Sequence, residues 1–264
     1  MNTGALSDQS YWDSVIESTV LPRIYDQGEY NVSRFDALFR SYIDEGAKTF
    51  FEIGCGASAW LPYFKQYYSF NVSGLDYSEP GCLLAERNLD YFGRTPTEVI
   101  YCKDIAVIND GECGIHDIVF SYGVVEHFDD PVAVLRQARK LVPTGGQIVT
   151  IVPNLIGWYG SVSKVLLPTI FAMHKAIDPK MLEQVHEQAG FRSEFCGYFG
   201  TFYLEAIPWT SVEVPFLRRK IIRRIFLTCI AHLARWIKTG LRLAKVTNET
   251  ERWSPYVVFI GRKG

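Results

Sequence analysis

Thr49-Phe50-Phe51-Glu52-Ile53-Gly54-Cys55-Gly56-Ala57-Ser58 decides how this chain is read. A short apolar run ends on an acidic residue and then turns through Gly-x-Gly, the pattern of a buried strand feeding a loop and a helix. Glycines at such a turn admit positive φ and let a ligand lie against bare backbone.

The same rhythm continues downstream. Short apolar runs alternate with longer helical patterns from about residue 49 to 152, which implies βαβ units in a parallel sheet. The expected strands are Thr49 to Ile53, Asn71 to Leu75, Glu98 to Tyr101, Asp117 to Ser121 and Gln147 to Val152. Pro143-Thr144-Gly145-Gly146 closes a helix expected over Val132 to Leu141 and launches the fifth strand. An aromatic, Gly-containing loop through Trp158 and Tyr159 leads into an apolar helical stretch to about His174, and Asp178 reads as the N-cap of a further helix. Strands near 195–204 and 255–261 complete a doubly wound, Rossmann-like sheet of seven strands, mostly parallel with an antiparallel last strand. The whole of 1–264 reads as one domain: a helical amino-terminal cap over 1–45, a cofactor-binding core over 46–154, a substrate-pocket loop and helix over 155–180, and a basic insertion over 208–250.

Acidic residues punctuate the strand ends. Asp76 stands 22 residues beyond Gly54, where a carboxylate accepts both hydrogen bonds of a ribose diol. Asp104 follows the third strand at a level suited to an adenine amino group, and Tyr77 and Ile105 can sandwich the ring. Ser121 and Tyr122 end the fourth strand beside the same cleft. Gly54-x-Gly56-x-x-Ala59 also satisfies the dinucleotide fingerprint, with Asp76 on the ribose of NAD. Against that reading stands Glu52, because a negative charge two residues before the first glycine repels a pyrophosphate and favours a cationic ligand. An NAD(P)-dependent oxidoreductase or epimerase is therefore the second reading, and a non-enzymatic ligand-binding module the third.

The motifs FEIGCG (51–56), GLDYS (74–78), KDI (103–105), FSYGVVEHFDDP (120–131) and LVPTGGQIVTIVPN (141–154) together resemble the class I S-adenosylmethionine-dependent methyltransferase family. The resemblance runs from about Phe50 to Asn154. It implies S-adenosylmethionine as cofactor and S-adenosylhomocysteine as product, with Glu52 near the methionine amino group, Gly54, Cys55 and Gly56 under the cofactor, Asp76 on the ribose and Asp104 on the adenine. Methyl transfer is in-line displacement by a lone pair, so alignment and exclusion of water come first and a base is needed only for weak nucleophiles. The expected reaction is O-methylation of a small molecule, sugar or glycan precursor, or amphipathic metabolite.

His127 and His174 are the candidate catalytic residues. His127 follows Glu126 at the carboxyl edge of the sheet, where it either takes a substrate proton or packs beside the cofactor. His174 lies where this fold builds its substrate pocket, with Trp158 and Tyr159 as possible walls, and similar sequences of bacterial glycan pathways carry a histidine in that stretch. In a related group of ubiquinone-pathway O-methyltransferases the Glu-His pair belongs to a metal site that uses a further acid three residues before the Glu. Here that position is Gly123, so the sequence leads to an expectation of no metal. His116, His186 and His232 are expected away from the pocket, and Tyr11 and Trp12 in a cap closing over the donor.

The remaining features bound the setting. Six cysteines without metal-ligand spacing, no basic-then-apolar leader and no run of about 18 apolar residues point to a reducing, cytoplasmic protein. Net charge is −2, yet residues 216–245 hold nine Lys or Arg and no acid, leaving 18 basic against 29 acidic residues elsewhere, or −11. On a helical wheel, Ile221, Ile222, Ile225, Phe226, Cys229, Ile230, Leu233, Trp236 and Ile237 share one side. Lys220, Arg223, Arg224, Arg235, Lys238, Arg242 and Lys245 take the other. Such a helix, or helix pair, lies on an anionic membrane as a peripheral contact, grips an anionic substrate, or packs its apolar arc on the sheet. Nucleic acid is disfavoured by the acidic remainder.

Overall fold

The computed structural model describes residues 12, 13, 16, 19–56, 58–201, 220–244 and 249–264. A helix α1 (Tyr30–Tyr42) precedes β1 (Thr49–Ile53), α2 (Trp60–Tyr68), β2 (Asn71–Asp76), α3 (Glu79–Tyr91) and β3 (Ile100–Cys102). Then follow β4 (Ile118–Tyr122), α4 (Pro131–Lys140), β5 (Gln147–Pro153), α5 (Trp158–Leu166), α6 (Pro168–Ala172), α7 (Pro179–Gln188), β6 (Phe191–Phe199), α8 (Lys220–Leu243) and β7 (Tyr256–Lys263). The seven strands lie in the order β3-β2-β1-β4-β5-β7-β6. β1 to β5 are parallel, and β7 runs antiparallel to both β5 and β6.

Successive strand residues point to opposite faces, and the aromatic pairs of the sequence exploit this. Phe50 and Phe120 enter an aromatic layer with Phe39 and Phe64 of α1 and α2, while Phe51 and Val119 enter a second layer with Leu135 of α4 and Leu182 of α7. Burial on both faces explains why these strands read as continuous apolar runs. The chain reverses direction across the sheet between β1 and β4, where the order changes, and a cleft opens beyond the carboxyl ends of the strands at such a point.

Most element boundaries match the expected ones within two residues. Three differ. β6 begins at Phe191, four residues early, because Gly190 turns the chain with φ +91° directly into the strand. The stretch after β5 is two short helices, broken at Leu167-Pro168, since proline removes a backbone donor and disfavours helix in the residue before it. The basic segment is one helix of 24 residues where described. Residues 208–219 and 245–248 of the insertion, 202–204 of the strand expected near 195–204, and Tyr11 of the cap lie outside the described residues.

On α8, Ala234 is buried and Phe226, Leu227, Ile230 and Ile237 are half-buried. Ile225, Leu233, Trp236 and Leu243 form a second apolar stripe that faces solvent, Trp236 being 77% exposed. Arg224 and Arg235 are also exposed. No helix among the described residues is long and apolar enough to cross a membrane.

Candidate active site

The turn after β1 is fixed by two constraints. Gly54 adopts φ +75°, and a Cβ there would stand 2.6 Å from a Val124 methyl. Its N–H and that of Cys55 both donate to the Leu75 carbonyl, at 2.8 and 3.1 Å, tying the loop to β2. Gly56 is required by space: a Cβ would lie 2.8 Å from Asp76 Oδ2 and 3.2 Å from Gly81 Cα. The bare backbone lets the Gly56 N–H donate to Asp76 Oδ2 at 2.9 Å, while the Ser78 N–H donates to Oδ1 at 2.8 Å. Asp76 is thereby clamped at the end of β2, and burial raises its pKa against these two bonds.

Glu52 stands beside it on β1, buried, accepting a 2.6 Å hydrogen bond from the Ser58 hydroxyl. Burial pushes its carboxyl up to about 8. Two adjacent buried carboxylates make this end of the cleft receptive to a cationic ligand, which would restore the ionised form. Asp104 caps the short turn Ile105–Val107 through the Ala106 N–H, at 2.8 Å. These residues share one cleft of about 440 Å³, whose wall also carries Tyr77 and Ile105.

Beyond β4 and β5 the same cleft is walled by Glu126, His127 and His174. Two hydrogen bonds stitch their loops together: Lys175 N–H to the Glu126 carbonyl, and His127 Nδ1 to the Met173 carbonyl, both 2.8 Å. His174 Nδ1 donates to the Ile170 carbonyl at 2.7 Å. A carbonyl only accepts, so both rings carry their proton on Nδ1 and offer Nε2 as a lone pair. The ring centroids are 4.2 Å apart, and the Trp12 indole meets His127 edge-on at 5.2 Å. Burial, with His174 close by, lowers the His127 pKa to about 3, and burial lowers that of His174. Glu126 is fully buried, neither carboxylate oxygen has a hydrogen-bond partner, and burial raises its pKa to about 8.

The structure brings Glu52, Gly54, Gly56, Asp76, Tyr77, Asp104, Ile105, Tyr122, His127 and His174 onto one cleft. Cys55 and Ser121 do not line it. The Cys55 side chain is turned behind the wall against Gly74, and Ser121 is buried with its hydroxyl 3.4 Å from that of Thr150. Ser121 precedes Tyr122, which does line the cleft, on β4, and Cys55 lies in the loop beyond β1 with its side chain toward β2. Tyr159 lines the cleft, whereas Trp158 directs its Nε1–H to the Trp253 carbonyl. Asn154 holds this loop by donating to the Glu251 and Ser254 carbonyls. Among the other histidines, His186 is buried against Phe259, His116 packs on Phe51 and His232 is exposed.

Sequence reasoning missed Arg23, Tyr25, Trp60 and Tyr256 on the wall. Tyr256 accepts a 2.9 Å hydrogen bond from the Tyr122 hydroxyl, and burial raises its pKa. The signal lay in topology: β7 inserts beside β5, which places its first residue at the carboxyl edge.

Residues 51–148 match the family model described as a methyltransferase domain. A ubiquinone biosynthesis O-methyltransferase from Thiobacillus denitrificans is 27% identical over 156 residues, 56% of this chain and 66% of the relative, just under two thirds of its length. A SAM-dependent methyltransferase from Archaeoglobus fulgidus aligns in structure with a TM-score of 0.52 at 19% identity, covering 88% of this chain and 94% of the other. The cyclopropane synthase MmaA2 from Mycobacterium tuberculosis gives a TM-score of 0.62 at 15% identity, covering 99% and 98%.

Proposed function

We propose, from the premise that the chain carries a class I S-adenosylmethionine-dependent methyltransferase domain, that it methylates an oxygen of a small molecule held over β4 and β5. One observation carries this reading: a single cleft joins a carboxylate-lined end at Glu52 and Asp76 to an end lined by two imidazoles with free acceptor geometry. S-adenosylmethionine supplies an electrophilic methyl group on a positively charged sulfur. Asp76 and Glu52 suit the ribose and the cationic amino acid portion, and the Gly56–Gly81 approach leaves a bare cradle that a Cβ would fill.

The imidazoles orient more than they deprotonate. The His127 ring, its pKa lowered to about 3, is a poor base for a hydroxyl, but the Nε2 lone pairs of both rings face the cleft and can fix the acceptor oxygen, either directly by a hydrogen bond or through a cation that they hold. Trp12, edge-on to His127, and Tyr159 add aromatic surface to the wall, which favours exclusion of water once substrate is bound. The ubiquinone-pathway relative, an O-methyltransferase by name, supports oxygen as the acceptor atom.

The exposed apolar stripe and the cations of α8 favour contact with an anionic lipid surface, and hence an acceptor of amphipathic character. If the apolar arc served the core alone, Ile225, Leu233 and Trp236 would be covered; they are not.

Calorimetry with S-adenosylhomocysteine, NAD and NADP tests the proposal. Saturable binding of S-adenosylhomocysteine with none of either dinucleotide is expected. Tight NAD binding without S-adenosylhomocysteine binding would transfer the chain to the oxidoreductase reading.

A further inference from the structure

We propose that Glu126, His127 and His174 form a binding site for one divalent transition-metal ion at the acceptor end of the cleft, resting on the methyltransferase reading only for what the ion then does. Gly123 removes the acid that the sequence pattern of the ubiquinone-pathway group would place beside Glu126. What the sequence cannot show is that His174, far along the chain, arrives there instead.

Each of the three residues offers a ligand atom, and these atoms all lie within 4.8 Å of one another. Donors about 2.1 Å from a common ion stand roughly 3 to 3.5 Å apart, so closure asks for about an ångström of side-chain movement. The outer contacts are those a ligating imidazole requires: each Nδ1–H is committed to a backbone carbonyl, of Met173 for His127 and of Ile170 for His174, which fixes the tautomer and leaves Nε2 for the ion. The carboxylate is the second, independent sign. Glu126 is 0% exposed and both its oxygens lack a hydrogen-bond partner, an arrangement folded proteins avoid unless a cation or proton completes it. All three residues line the cleft, so the ion would have access from it.

Two imidazoles and one carboxylate suit Zn²⁺, Fe²⁺, Mn²⁺ or Co²⁺ in preference to Mg²⁺ or Ca²⁺, which take oxygen ligands. Three protein ligands leave positions open toward the cleft. The acceptor class that fits is a hydroxyl flanked by a second oxygen donor, able to occupy two of them. An ion held by Glu126, His127 and His174 would lower the pKa of a hydroxyl bound to it, so that the proton could pass to solvent near neutral pH. Its lone pair then forms the new C–O bond as the C–S bond of the methyl donor breaks and that electron pair passes to sulfur.

Titration of chelator-stripped protein with CoCl₂ tests the site without any turnover. One equivalent is expected to bind, giving visible d–d bands without the near-ultraviolet charge transfer of thiolate ligation, which separates this site from exposed Cys102 and Cys229. Glu126→Gln and His174→Gln should each weaken Co²⁺ binding at least about tenfold while leaving S-adenosylhomocysteine affinity within about threefold. Should Glu126→Gln fail to fold, His174→Gln, on a half-buried loop, carries the test alone. No saturable binding by the wild type, a thiolate spectrum, or affinity unchanged in the variants would overturn the assignment. Cobalt binding without S-adenosylhomocysteine binding would instead sink the methyltransferase reading and leave the metal site standing.

Discussion

Gly56→Ala is the most discriminating single change at the donor end. The added methyl would lie 2.8 Å from Asp76 Oδ2 and 3.2 Å from the Gly81 backbone, where an ordinary contact needs at least about 3.4 Å. The carboxylate must therefore retreat by about 0.6 Å, and it has little freedom because the Ser78 N–H holds its other oxygen. The displacement stretches the charged hydrogen bond from the Gly56 N–H and misplaces the carboxylate that we propose accepts from the ribose, a loss of about 1.5 to 3 kcal/mol for a bond to a charged group. The dissociation constant for S-adenosylhomocysteine should rise about 10- to 150-fold by calorimetry. Cys55→Ala, one residue away, is the control: its side chain faces away from the cleft, so affinity should change less than about threefold, although the removed thiol lowers stability by about 1 kcal/mol. If the alanine at 56 leaves affinity unchanged in a folded protein, or the change at 55 weakens it as much, the reasoning about this turn is wrong.

Burial lowers the His186 pKa to about 3, against about 6.5 in an unfolded chain, so the folded protein refuses a proton that the unfolded chain accepts. That stability is present above pH 6.5 and is lost as pH falls toward 3, by about 2 kcal/mol at pH 5, one and a half units at about 1.4 kcal/mol each. In urea denaturation His186→Leu should therefore lose about 2 kcal/mol less than wild type between pH 7.5 and 5, and parallel losses would refute the assignment. On α8, replacing Arg224 and Arg235 by Gln should lower co-sedimentation with phosphatidylserine vesicles about fivefold per cation, in a salt-dependent way, without altering S-adenosylhomocysteine affinity. Wild-type protein that ignores such vesicles would return the helix to a packing role.

The donor end was legible in the sequence because its chemistry is local. Glu52, Gly54, Gly56, Asp76 and Asp104 each sit at a strand end that hydrophobic periodicity locates, and period alone puts strand ends on one edge of a parallel sheet. The Cys55 and Ser121 side chains stand off the wall because a motif names positions, whereas local backbone geometry decides which side chains face the cleft. The acceptor end depends on distant pieces of chain. Trp12, His127, His174 and Tyr256 meet only because a cap folds back and the last strand inserts beside β5, and no short-range pattern encodes those encounters.

The antiparallel pairing of β7 with β5 sets an order on how the protein is made. β5 ends at Pro153 and its partner begins at Tyr256, so a ribosome must add roughly 100 residues before the strand edge is covered, about 5 to 20 s at ordinary elongation rates. If β1 to β5 pair during that interval, they do so beside an edge as apolar as Ile148, Val149 and Ile151. An uncovered edge of that kind invites pairing with another chain. Slow translation of 154–255, or truncation before Tyr256, should therefore raise co-translational aggregation and chaperone capture, while an intact β7 supplied late ends the exposure.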